Sequence, residues 1–100
     1  MVIKVFHLNF DILFEPNAVL DGEACKGYIS YKEQKIVIDS TITKEKQKET
    51  LLHEILHAIT AFLGYSDDLP KDNETMVMTL ANGLATVFRD NPHLIEYLQK

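Results

Sequence analysis

The chain has a single cysteine, Cys25, which excludes an intrachain disulfide and any thiolate cluster of the kind that holds structural zinc. Beside Lys26, in a strand-like run, it reads as a small apolar residue. Positive charge is also scarce. Lys and Arg number 10 against 15 Asp and Glu, a net charge of −5, so there is no general attraction to nucleic acid or to an anionic membrane surface. Lys44, Lys46 and Lys48 do cluster, but Glu45 and Glu49 interleave with them, which describes a solvated helix face. No apolar run approaches membrane-spanning length, and no basic segment followed by an apolar core opens the chain, so a cytoplasmic protein with no membrane partner is the expectation. Internal repeats and low-complexity segments are absent too. A composition of 46% hydrophobic and 25% charged residues over 100 positions fits one globular domain, residues 1–100, with a modest core.

What the sequence does contain is His53-Glu54-Ile55-Leu56-His57, inside a long helical pattern. Residues i and i+4 of a helix differ by only about 40° of rotation, so both imidazoles leave from one face, one turn apart. That spacing suits Zn²⁺, and Glu54 beside His53 is placed to take a proton from a metal-activated water. Shuffling this composition would give the bare motif in roughly one per cent of cases, so its context matters. At 100° per residue Leu51, Leu52, Ile55, Leu56, Ile59, Phe62 and Leu63 fill one broad arc, whereas His53, His57 and Gly64 form a narrow strip opposite. The competing reading is a surface helix with two solvated histidines, one of them paired with Glu54 or Glu49. The helical context favours the metal.

The rest of the chain supplies an α+β framework. Val2 to Phe14 is rich in β-branched and aromatic residues and reads as one bent strand or two short ones meeting between His7 and Asn9, with Glu15-Pro16-Asn17 as the stop. His7 belongs to a packed or hydrogen-bonded role. Residues Asn17 to Lys26 read as a loop or one helical turn. Gly27–Tyr31 and Lys35–Asp39 flank a three-residue polar connection and make a hairpin, so a small N-terminal antiparallel or mixed sheet precedes the helices. The motif helix starts near Thr43 and ends near Leu63, with Gly64 in its cap.

After a polar connection from Tyr65 to Lys71, a second helix begins between Leu69 and Asn73 and carries Val77, Leu80, Ala81, Leu84, Val87 and Phe88 at helical spacing. Glu74 extends the Val77 and Ala81 row by one turn. A carboxylate there either interacts with the helix dipole or serves as a ligand, and the upstream motif lacks its third ligand. Asp67, Asp68 and Asp72 are weaker candidates, since loop acids usually remain solvated. Asn91 and Pro92 read as N-cap and first-turn proline of a short C-terminal helix, with His93 exposed near its start.

The hairpin segments Gly27-Tyr28-Ile29 and Lys35–Asp39, the helix Thr50–Ile59 and the run Glu74-x-x-Val77-x-x-Leu80-Ala81-Asn82-Gly83-Leu84 leading to Asp90-Asn91-Pro92 together resemble the small His-Glu-x-x-His metallopeptidase-like proteins, close to the ImmA/IrrE group and to short phage-encoded zincins. The likeness runs from about Gly27 to Leu98. It implies a minimal zincin-like fold, with a small sheet, an active-site helix, a second ligand-bearing helix and a short C-terminal helix. It further implies Zn²⁺ held by His53, His57 and Glu74, Glu54 as general base, and an extended peptide added to a sheet edge, for which Gly27 to Tyr31 is the favoured strand. The chain departs from the group in having Leu56 where glycine often precedes the second histidine, and in a short span from His57 to Glu74. It also has no Met-turn and no third motif histidine. Tyr31 and Tyr65 are the candidates for an oxyanion partner. The expected function is that of a zinc-dependent peptidase acting on a peptide or protein, with a regulatory protein as a conceivable substrate. The alternative is a catalytically weak or inactive zincin-fold module that binds a partner.

Overall fold

Alternation of buried and exposed residues sets the first two strands of a computed structural model that describes residues 1–65 and 71–100. In β1 (Val2–Val5) and β2 (Leu8–Glu15) the inward residues are Ile3, Val5, Phe10 and Ile12, all buried. The strands are antiparallel, and Phe6 between them has φ of 57°, an uncommon value for an aromatic residue. Its ring stacks on Phe62 with centroids 4.5 Å apart, a tertiary contact that accompanies the turn.

The sheet is mixed, in the order β1-β2-β6-β5, where β5 is Gly27–Ser30 and β6 is Lys35–Asp39. β5 and β6 form the expected antiparallel hairpin, but β2 and β6 run parallel, in register from Asp11 opposite Lys35 to Glu15 opposite Asp39. Parallel neighbours need a crossover. Here it includes a small hairpin, β3 (Val19–Leu20) with β4 (Glu23–Ala24), where the sequence suggested a loop or helical turn. Asp21 and Gly22 at its tip have φ of 53° and 81°, the left-handed conformation that a tight two-residue hairpin turn requires. β6 is central and buried from Ile36 to Asp39, as a strand enclosed on both faces should be.

Three helices follow. α1 (Lys44–Phe62) is capped by Thr43, whose side chain accepts from the Lys46 N–H, and it ends at Leu63 before Gly64. Its start is fixed from two directions. Asp39 accepts from the Thr41 hydroxyl (2.6 Å), the Thr41 N–H (2.8 Å) and the Asn17 N–H (3.1 Å), and the first of these does most to hold its carboxyl below the usual range. The Gln47 amide donates to the carbonyls of Ser40 and Ile42. Leu51, Ile55 and Ile59 then lie fully buried against Ile3, Phe10, Ile36 and Ile38 of the sheet. α2 (Asn73–Asp90) is capped by Asp72 and α3 (Pro92–Leu98) closes the chain. Among the described residues no helix is long and apolar enough to cross a membrane.

The inward face of α2 is rotated from the expected stripe. Val87 and Gly83 are buried, whereas Val77 and Met78 are 51% and 60% exposed and Ala81 is exposed. Gly83 is the reason: a Cβ there would overlap Ile59 Cγ2, so α2 meets α1 through this glycine. Glu74 precedes it by nine residues, about two and a half helical turns, and therefore stands on the opposite side, exposed.

Asn91 occupies the expected N-cap position of α3 but makes no side-chain cap bond. Its side chain is 1% exposed and clasps β1 to the helices: Oδ1 accepts from the Lys4 N–H (2.8 Å), and Nδ2 donates to the carbonyls of Lys4 and Val87 (2.7 Å each).

Two substitutions test this packing by urea denaturation. Gly83→Ala gains about 1 kcal/mol of helix propensity but overpacks a core contact at about 1–3 kcal/mol, so net destabilisation is expected, smaller in an Ile59→Ala background. A stabilised Gly83→Ala would refute the close approach. Asn91→Asp retains the acceptor but leaves two carbonyls without their donor and facing a carboxylate, for an expected loss of about 2–4 kcal/mol. An unchanged midpoint would remove Asn91 from this role.

Candidate metal centre

With Leu51, Ile55 and Ile59 turned into the core, the helical repeat sends His53 and His57 outward. His53 is exposed and His57 half-buried; their rings meet edge to face with centroids 4.6 Å apart, and the two Nε2 atoms are 3.0 Å apart. One of these nitrogens can donate to the other, the direction depending on which tautomer each ring adopts. The same geometry fits a shared ion. Two nitrogens each about 2.0–2.1 Å from a tetrahedral zinc are about 3.3 Å apart, which a small ring rotation supplies.

Glu54 lies on the flank of α1 that faces β5 and is 7% exposed. Among the described residues no hydrogen bond or ion pair engages its carboxylate. Burial raises its pKa above the usual glutamate value, and the neighbouring His53 and His57 oppose that rise. No side-chain oxygen among the described residues is both fully enclosed and unpartnered, so the Glu54 carboxylate keeps a water-accessible edge, and partly desolvated acids of this kind concentrate at functional sites.

β5 is brought close by Gly27. A Cβ on that residue would lie 2.6 Å from the Val37 carbonyl oxygen and 2.7 Å from Thr50 Cγ2, so only glycine lets the strand settle against α1 here. Lys26, Gly27, Glu49, Thr50, His53 and Glu54 enclose a polar recess of about 260 Å³ between the two elements. β5 is an edge of the sheet, as favoured for peptide addition. The Lys26 carbonyl accepts from the Asp39 N–H at 2.8 Å, and antiparallel alternation then turns the backbone groups of Gly27 and Ile29 away from β6. The motif does not single out Gly27 or Lys26 as site residues; a glycine opening the first strand of the hairpin that precedes the His-Glu-x-x-His helix is the signal for the first.

The other candidates are dispersed. Glu74 is exposed in the first turn of α2, and among the described residues no group of three His, Cys, Asp or Glu side chains is gathered as a metal site. The expectation that Glu74 stands on an inward stripe is therefore not met, because Gly83 sets the packed face. Asp67 and Asp68 lie outside the described residues. Asp72 is engaged as the α2 cap, accepting from the Thr75 N–H and hydroxyl. His7 packs edge-on against Phe62, and His93 Nε2 donates to the Val2 carbonyl at 2.7 Å. Tyr31 meets Phe10 at the end of the sheet, and the Tyr65 N–H donates to the Thr60 carbonyl.

Comparison of the chain with family models, with curated proteins and with solved structures finds no match. What the site can do follows from its own geometry.

The buried Glu54 has a measurable consequence in the metal-free protein. Its folded pKa is raised, so the penalty is absent below the unfolded pKa of about 4.3 and complete above the folded one. Glu54→Gln should therefore be more stable than the wild type at pH 7, with the difference disappearing as the pH falls below about 4. Equal melting temperatures at pH 7 would show that Glu54 is not destabilised by its surroundings.

Proposed function

We propose that the protein is a zinc-dependent peptidase in which His53 and His57 bind the metal and Glu54 is the general base. The observation that carries this reading is the largely buried Glu54 side chain, without a hydrogen-bond partner among the described residues and lining a water-accessible recess, beside two imidazole nitrogens 3.0 Å apart. Bound zinc would supply a Lewis acid for a carbonyl oxygen and lower the pKa of a water toward about 7. Glu54 accepts a proton from that water and returns it to the departing amine, so the amide nitrogen leaves neutral. Its raised pKa strengthens it as a base. The outward backbone groups of Gly27 and Ile29 are suited to hold an extended peptide across the recess by strand addition, with the scissile carbonyl at His53 and Glu54. A regulatory protein with an exposed extended segment is a suitable substrate.

Glu74 is the third ligand that the sequence resemblance implies. In the structure its side of α2 faces away from α1, so its service as a ligand would require the first turn of α2 to move or rotate. The absence of a third ligand among the described residues favours a second reading, a zincin-fold module that recognises a partner segment without hydrolysing it.

Elemental analysis and peptide hydrolysis of variants purified side by side separate these readings. About one zinc per chain is expected in the wild type, with loss of metal and activity in His53→Ala and His57→Ala. Glu54→Gln should keep its zinc and lose activity by about 10²-fold or more. Full activity in Glu54→Gln would end the proposed mechanism, and metal-free wild type after zinc is supplied would favour the binding module. Undiminished zinc in Glu74→Ala would remove Glu74 from the ligand set.

A further inference from the structure

One turn beyond Glu54 on the same flank of α1 comes Ala58, and almost one turn beyond that Ala61. At 100° per residue the two alanines fall within about 40° of the Glu54 direction, about 6 and 10 Å farther along the helix axis. With Val5, Leu8 and Phe10 from the β1–β2 hairpin and Tyr31 at the end of β5, they border an apolar recess of about 270 Å³. Phe62 forms its far wall. The recess opens at the surface and is kept unfilled by alanine at both helical positions, although an apolar hollow of this kind costs stability.

Its position connects it to the metal centre. β5 and α1 run side by side: Gly27 touches Thr50 at one end, and Tyr31 shares a wall with Ala58 at the other. The polar recess at His53 and Glu54 lies between α1 and β5, and the apolar one lies farther along the same flank of α1, between it and the β1–β2 hairpin with Tyr31 at its β5 side, so Glu54 stands between the two along the helix. An extended peptide advances about 3.3 Å per residue, so the 6–10 Å from Glu54 to the alanines corresponds to two or three residues.

We propose that this recess is the side-chain pocket of the site, taking a Leu, Met or Phe residue two or three positions from the bond at Glu54. The substrate class is then a peptide segment with an apolar anchor at that place and polar residues toward the Lys26 and Glu49 end. The assignment to a substrate rests on the peptidase reading, whereas occupancy of the pocket can be measured without it.

The test is methyl NMR of the chain, zinc-free and zinc-loaded, titrated with N-acetyl-L-leucinamide and with N-acetylglycinamide. Saturable shifts of the Val5, Leu8, Ala58 and Ala61 methyls are expected with the leucine probe alone, and affinity at least tenfold weaker in Ala61→Leu. Absent shifts, or equal shifts with the glycine probe, overturn the pocket from wild-type data alone, whatever the folding of the variant. Failure to bind zinc or hydrolyse peptides overturns the peptidase reading and leaves the probe result standing. If the chain hydrolyses peptides, Ala61→Leu should move its preference at one position from Leu, Met or Phe to Ala or Gly. An unchanged preference overturns the pocket.

Discussion

Burial of one stripe of α1 is the constraint on which the rest depends. Leu51, Ile55 and Ile59 are fully enclosed, and burying three such side chains contributes about 1.5–3 kcal/mol each. A surface hydrogen bond contributes about 1 kcal/mol, so no histidine contact can turn the helix to another face. Once the stripe is seated, the helical repeat leaves His53 and His57 outside and places Glu54 on the boundary toward β5. The site's geometry follows from the core's.

Two glycines then determine what surrounds that boundary. Gly27 lets β5 reach Thr50, which narrows the space beside Glu54 and helps keep its carboxylate from water. Gly83 lets α2 reach Ile59, which locks the opposite flank of α1. Between them α1 is held on three sides, and the remaining side carries the imidazole pair. The ionised Glu54 is unfavourable for folding in this setting, and the same burial that penalises it raises its basicity. A structural glutamate on a solvated helix face would show neither property.

Much of this was legible in the sequence where local chemistry decides the outcome. Thr43 caps α1 as a hydroxyl cap does, the β5–β6 hairpin follows its β-rich runs, and the apolar arc of α1 holds for Leu51, Ile55 and Ile59 in the core, while its end at Phe62 and Leu63 is exposed and Asp72, read as a first-turn residue, is the cap of α2. The features that escaped depend on partners distant in the chain. Nothing local to β2 or β6 specifies that they pair in parallel. The β3–β4 hairpin has only two residues in each strand, too few for alternation to register despite Asp21-Gly22 at its turn. The α2 stripe through Val77 and Ala81 is a sound helical pattern, yet Gly83 packs more closely than any side chain and rotates the helix to suit itself, which carries Glu74 outward. Asn91 reads as a cap because of Pro92, while its bonds to Lys4 could be seen only with β1 in place.

The central claim is that one metal ion is shared by His53 and His57. X-ray absorption at the zinc edge, on the zinc-loaded chain, tests it most directly. The account expects nitrogen and oxygen donors at about 2.0–2.1 Å with outer-shell scattering from two imidazoles, and neither imidazole in a chain lacking both histidines. Sulfur at about 2.3 Å, which would implicate Cys25, fewer than two imidazoles, or a chain that takes up no zinc would contradict it.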